Sequence, residues 1–209
     1  MKKAVIVSAK RTAIGSFNGA LAAYSSAQLG SFAIKSILED SKIDPTIIDE
    51  VIMGNVLMAG QGQAPGRQAA LYAGLSEKTE CLTINKMCGS GLKSVMLAQQ
   101  AIALGDAEIV IAGGQESMTN APYLLSNARN VYRLGNGELK DSIIIDGLWD
   151  VYNNIHMGSC AESCARDFSF TREELDNFAI ESYKRANEAV NSGRFDDEIY
   201  PIKQTTKSG

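Results

Sequence analysis

Thr83-Ile84-Asn85-Lys86-Met87-Cys88-Gly89-Ser90-Gly91-Leu92-Lys93-Ser94 is the stretch whose reading decides the fold. The short apolar run at 81–84 reads as the end of a strand. A glycine-punctuated turn follows, and then a segment with helical periodicity, in which Leu92, Val95, Met96 and Ile102 fall near one face. Cys88 therefore sits where a strand hands over to a helix. There the unpaired N–H groups of the first helical turn and the positive end of the helix dipole favour a thiolate. Gly89 and Gly91 lack a Cβ, so a bulky acyl group can come close to the backbone. A nucleophilic cysteine is one reading; a structural cysteine in an ordinary strand–helix turn is the other.

Outward from that junction, strands and helices alternate. Residues 4–9 are short and β-branched and predict a buried first strand. A helix is expected over 26–38, with Leu29, Phe32, Ala33, Ser36 and Ile37 on one side. Residues 51–54 predict a second strand, 68–75 a short helix and 108–114 a fourth, fully apolar strand. Gly105 marks the end of the helix behind Cys88. Apolar rather than alternating strands, separated by helices, argue for an α/β fold: a largely parallel sheet with helices on both faces. Gly60, Gly62 and Gly66 resemble a dinucleotide loop, but the last spacing is one residue too long, so a connecting loop is expected.

After Met118 the composition shifts, and 120–149 reads as an excursion from the sheet. Helical signal returns at 157–168. Thr171-Arg172-Glu173-Glu174 is a capping box opening a helix to about 191. That helix is expected to turn Leu175, Phe178, Ala179 and Tyr183 toward the core. Residues 195–202 are read as a further strand.

Composition excludes several classes. The chain has 209 residues, 45% of them apolar, and a net charge of −4 without a basic run. Neither nucleic acid nor an anionic membrane is an expected partner. Four cysteines in a chain of this length make no disulfide framework. The apolar run after Lys3 is too short for a signal peptide, and no stretch reaches membrane-spanning length. A cytoplasmic protein is expected.

Other residues carry candidate chemistry. The sole histidine, His156, lies at i, i+4, i+8 with Cys160 and Cys164. Three such ligands on successive turns point along a line rather than around a tetrahedral centre, so no metal site is expected. Glu116 closely follows the fourth strand, where open parallel sheets place their sites. A turn-holding carboxylate is the competing reading. Arg129 and Arg133 read as solvated surface or as phosphate contacts.

At this point a family resemblance is visible. Asn85-Lys86-Met87-Cys88-Gly89-Ser90-Gly91-Leu92-Lys93 resembles the nucleophile motif of the thiolases. Arg11-Thr12-Ala13-Ile14-Gly15, Gly54-Asn55-Val56-Leu57, Ala112-Gly113-Gly114-Gln115-Glu116-Ser117-Met118, Ala121-Pro122-Tyr123, Asp146-Gly147-Leu148-Trp149-Asp150 and His156-Met157-Gly158 agree with it in order and spacing. The bacterial biosynthetic branch is the nearest in pattern. The resemblance implies a layered α-β-α-β-α body of two similar halves, with a loop domain inserted in the first. It places a core domain at 1–118 and an incomplete loop domain, which binds coenzyme A, at 119–209.

It further implies that Cys88 accepts the acyl group while its own N–H serves an oxyanion hole. Leu148, His156 and Met157 would line the coenzyme A and acyl site, with Met157 restricting it to short chains. The implied reaction condenses two acetyl-CoA to acetoacetyl-CoA and coenzyme A, or runs in reverse. It needs no cofactor beyond the thioester substrates. A homo-oligomer, dimer or tetramer, is implied, with residues 60–66 near the neighbouring subunit. Thiolases are about twice this long. The Gly-His-Pro, Asn-Glu-Ala-Phe and Cys-x-Gly motifs of their second half do not occur here, so an N-terminal half, inactive by itself, is expected. A degradative 3-ketoacyl-CoA thiolase and a non-catalytic assembly module are the alternatives.

Overall fold

A computed structural model describes residues 2–129 and 132–204. The chain divides into two compact units, Met1–Gly147 with Tyr200–Gly209, and Leu148–Ile199.

The first unit is built on three parallel strands. Helix α1, Ser26–Ser41, begins at a capping box: the Ser25 hydroxyl accepts from the Gln28 N–H, and the Gln28 side chain accepts from the Ser25 N–H. Then come strand β1 (Glu50–Gly54), helix α2 (Pro65–Tyr72), strand β2 (Glu80–Ile84), helix α3 (Ser90–Leu104) and strand β3 (Val110–Gly114). The strand order is β2-β1-β3, both pairings are parallel, and Gly54 lies level with Ile84 and Gly114. The expected parallel sheet is therefore present, and all three strands end on one line.

Successive side chains point to opposite faces of a strand. Val51, Met53 and Ile111 face α1 and α2 and pack with Ile34, Ala69, Ala70 and Ala73. Ile52, Gly54 and Gly114 belong to the other face, under α3. Helix α3 rests on β1 and β3, which leaves Leu82 of edge strand β2 exposed.

The expectations for α3, for α1 and for residues 4–9 need correction. Helix α3 does not seat Leu92, Val95 or Met96 against the sheet, and Ile102 is half-buried. Its buried stripe is Ser90, Ser94 and Ala98, while Leu92 is 69% exposed and Val95 and Met96 are also exposed. The strand ends beneath are glycine backbone, and only small side chains allow so close an approach. Helix α1 buries Ala27, Gly30, Ser31 and Ile34; of the predicted set Ser36 is buried with them, while Leu29, Phe32, Ala33 and Ile37 are half-buried. Residues 4–9 form no strand and are not buried: Val5, Ile6 and Val7 are 79%, 80% and 68% exposed. Among the described residues this run has no ladder partner. It is tethered near its ends, by Lys2 to Glu108 at 3.2 Å and by the Ser8 hydroxyl to Asp40 at 2.6 Å.

Beyond β3, strands β4 (Tyr123–Leu125) and β5 (Leu139–Asp141) pair antiparallel, and a π-helical turn, Ile143–Leu148, follows. The second unit opens with a hairpin of β6 (Trp149–Asp150) and β7 (Ile155–His156). Helices α4 (Met157–Asp167) and α5 (Arg172–Asn191) complete it. The Thr171–Glu174 capping box opens α5 as expected. Its predicted inner face is exposed, however, with Phe178 at 78% and Tyr183 at 72%. The only residue of α5 that is buried is Ala189. Residues 195–202 form no strand: 195–198 are turns, and the amides of Asp196, Glu198 and Ile199 bond back to Gly193 and Phe195.

Asp49 ties the start of β1 to the start of β3. Its Oδ2 accepts from the N–H groups of Glu108 at 2.8 Å and Ile109 at 3.0 Å. These donors, Ile109 first, hold its carboxyl below the ordinary value of 3.8. A depressed folded-state pKa contributes stability above that ordinary value, and the contribution is lost as pH falls through the lower, folded-state value. Asp49→Asn is therefore expected to flatten the acid limb of stability below pH 3.8, read as the urea midpoint against pH.

Candidate active site

Cys88 stands on the turn between β2 and α3, and its side chain is exposed. Local bonding explains the turn. The Asn85 side chain accepts from the Met87 N–H at 2.9 Å. The Ser90 hydroxyl accepts from the Lys86 N–H at 2.8 Å and donates to the Met87 carbonyl at 2.6 Å. Met87 is held at φ 50°, left-handed backbone that a non-glycine residue seldom adopts. One buried serine thus staples the two residues before the cysteine to the first residue of the helix.

The helix is in turn seated on the strand ends. A Cβ on Gly54 would lie 2.6 Å from Ser90 Cβ and 2.8 Å from the Gly91 nitrogen, and one on Gly114 would lie 3.5 Å from Gly91 Cα. The buried Ser94 hydroxyl bonds to the carbonyls of Gly91 at 2.6 Å and Gly113 at 2.8 Å. These contacts fix the start of α3 against β1 and β3.

An open cleft of about 340 Å³ lies at this edge, lined by Asn55, Val56, Met87, Cys88, Gln115 and Glu116 together with the glycines. Burial pushes the Glu116 carboxyl above its ordinary value, although bonds from Val56, Leu57 and Asn55 work against the shift. Cys81, on β2, is half-buried, and burial pushes its thiol up as well.

Leu148, His156 and Met157 all belong to the second unit. Leu148 ends the π-helical turn and is half-buried. His156 closes β7 and caps α4: its Nδ1 accepts from the Gly158 N–H at 2.9 Å, which leaves Nε2 to carry the proton of the neutral ring. Met157 is the first residue of α4 and is exposed. His156 thus precedes the helix that carries Cys160 and Cys164. Among the described residues no group of three His, Cys, Asp or Glu side chains could hold a metal ion. Arg129 and Arg133 are exposed. Among the described residues no helix is long and apolar enough to cross a membrane.

Sequence reading singled out Cys88 and Glu116 but gave no role to Gly54, Asn55, Ser90 or Ser94. The available signal was the glycine run at both strand ends, Gly54 and Gly113-Gly114, opposite a helix with serines four apart.

The chain is an α/β protein with an exposed cysteine at the entry to a helix, over the carboxyl ends of parallel strands, where open sheets of this kind place their sites. The chain belongs to the thiolase family: the family model "Thiolase, N-terminal domain" matches residues 4–209. It is 51% identical over all its length to an acetyl-CoA acetyltransferase of Cupriavidus necator, covering 53% of that protein. It is 52% identical to one of Escherichia coli, with 99% of this chain and 53% of that protein covered. The crystal structure of the Acat5 thiolase from Ascaris suum in complex with coenzyme A superposes with a TM-score of 0.92 at 40% identity, over 96% of this chain and 52% of that one. The chain thus spans about half the length of the curated relatives it matches.

Gly54→Ala is expected to push the first turn of α3 off its seat, because the added methyl meets Ser90 and the Gly91 backbone rather than a flexible tip. A stability loss of about 1–3 kcal/mol is expected, as for overpacked sites, together with a changed rate of Cys88 alkylation by iodoacetamide. Urea unfolding and peptide mapping measure the two.

Proposed function

We propose that this chain is the N-terminal part of an enzyme that condenses two acetyl-CoA into acetoacetyl-CoA and coenzyme A, and catalyses the reverse thiolysis. The observation that carries this reading is the exposed Cys88 thiol held at the start of α3 beside an open cleft. The acetyl-CoA acetyltransferases among its relatives supply the substrate class.

In the first half-reaction Cys88 Sγ attacks the thioester carbon, and the carbonyl oxygen becomes an oxyanion. The backbone N–H of Cys88 is the donor proposed for that charge; such fixed donors typically contribute roughly 3–4 kcal/mol. The C–S bond to coenzyme A then breaks, and the coenzyme A thiol leaves with a proton. In the second half-reaction another acetyl-CoA loses an α-proton, and its carbanion attacks the acyl carbon on Cys88. The Cys88 thiolate is expelled and acetoacetyl-CoA forms. A covalent intermediate divides one difficult transfer into two easier ones.

Leu148, His156 and Met157 are proposed to line the coenzyme A and acyl site, Met157 favouring short acyl groups over those of a degradative 3-ketoacyl-CoA thiolase. Residues 1–118 are proposed as the core domain and 119–209 as part of the loop domain. The proton-transfer groups are proposed to come from a C-terminal half, in a cytoplasmic homo-oligomer, and the chain by itself to be inactive. No group beyond the thioester substrates is invoked.

Mixing the chain with a separately produced C-terminal half of the Cupriavidus necator relative tests this. Acetoacetyl-CoA thiolysis is expected to return, and Cys88→Ser to lower it by roughly a thousandfold or more, as loss of a nucleophile does elsewhere. A well-folded complex without activity, or activity untouched by Cys88→Ser, contradicts the proposal.

A second reading, a non-catalytic assembly module, draws on the exposed Val5, Ile6, Val7, Leu92, Phe178 and Tyr183. Apolar surface of this kind favours association. The chain alone is expected to self-associate in sedimentation; a monodisperse monomer would argue against it.

A further inference from the structure

Glu116 brings the only carboxylate to the cleft lining that Cys88 shares, among the described residues. Besides a bond from the N–H of its neighbour Ser117, its side chain bonds to three consecutive residues. Oε1 accepts from Asn55 Nδ2 at 2.6 Å and from the Leu57 N–H at 3.3 Å; Oε2 accepts from the Val56 N–H at 2.8 Å and the Leu57 N–H at 3.4 Å. The position of these three residues gives the bonds their meaning. At Gly54 and Asn55 the sheet is still closing, since Gln115 N–H donates to the Gly54 carbonyl and Asn55 N–H to the Ile84 carbonyl. From Val56 onward the chain leaves the sheet, and the donors given for 56 and 57 turn to the carboxylate. Asn55 and Val56 form the cleft wall on the β1 side, while Met87, Cys88 and Ser90 line it from the turn into α3.

We infer that Glu116 is a positioning residue for Cys88: it clamps residues 55–57 as the wall of the acyl pocket and so sets the bulk of the group that can reach the sulfur. This rests on the reading of Cys88 as the acyl acceptor. The carboxylate suits the task because both of its oxygens accept, and the donors of residues 55–57 all point at it. A glutamine of the same shape keeps one acceptor and turns the other position into a donor aimed at N–H groups. The wall then loses part of its anchor while the fold, carried by the sheet ladder and the α3 seat, keeps its own bonds.

The test uses the whole 209-residue chain. Cys88 is alkylated in parallel with iodoacetamide and with the bulky N-cyclohexylmaleimide, and the ratio of the two rates is read by peptide mapping. Glu116→Gln is expected to raise the bulky-to-small ratio roughly two- to tenfold, the range corresponding to one lost hydrogen bond. Glu116→Asp, which keeps both accepting oxygens, is expected to return the ratio toward that of the unaltered chain. A general loss of stability slows or speeds both reagents alike and leaves the ratio where it was.

An unchanged ratio in a folded Glu116→Gln chain overturns the inference. If that variant does not fold, amide exchange in the unaltered chain decides. Slow exchange at Val56 and Leu57 is expected; exchange as fast as in an unprotected loop overturns the clamp. If Cys88 of the unaltered chain reacts with neither reagent, the acyl-acceptor reading fails, and amide exchange still tests the clamp independently.

Discussion

The backbone of Gly54 lies against the first turn of α3, closer than any side chain would tolerate. A methyl group there would meet the Cβ of Ser90 at 2.6 Å. From this contact the rest of the first unit can be understood. It requires glycine at the end of β1 and small residues along the helix, so Ser90, Ser94 and Ala98 form the buried stripe. It also brings the start of α3 to the line where β1, β2 and β3 end together. The Cys88 thiol, on the turn just before that helix, is thereby left at an open edge instead of inside the layers.

Such a seat needs fastening, because it places a non-glycine residue, Met87, in left-handed backbone. Conformations of this kind cost on the order of 1–3 kcal/mol. Ser90 bonds on both sides of Met87, and Ser94 ties the helix to β3. The strain is therefore held locally, by side chains whose own positions are fixed by burial. Strained backbone directly beside a candidate nucleophile is a pattern found where geometry serves chemistry.

Much of this was legible in the sequence because it depends on local rules. The apolar runs of β1, β2 and β3, Gly105 after α3 and the capping box of α5 are signals within a few residues of one another. The buried faces of α3 and α5 were misjudged, and that of α1 in part. Periodicity finds the largest apolar residues, whereas α3 docks by its smallest, and Phe178 and Tyr183 of α5 meet no core in these residues. Residues 4–9 carry strand composition, but a strand exists only through a partner, and none is described. At the site, Cys88 announced itself by its turn and Glu116 by following β3. Its grip on residues 55–57, about sixty positions away, is a tertiary fact that spacing cannot carry. The roles of Leu148, His156 and Met157 rest on family pattern; their own geometry reads as a cap and a helix start.

The claim on which the account stands is that the Cys88 sulfur is held open at the strand ends. Competitive labelling of the native chain with limiting iodoacetamide, followed by peptide mapping of all four cysteines, tests it most directly. Cys164, exposed, and Cys81, half-buried, serve as internal standards. The account predicts that Cys88 is labelled at least as fast as Cys164 and well ahead of Cys81. Labelling of Cys88 no faster than Cys81 would contradict it.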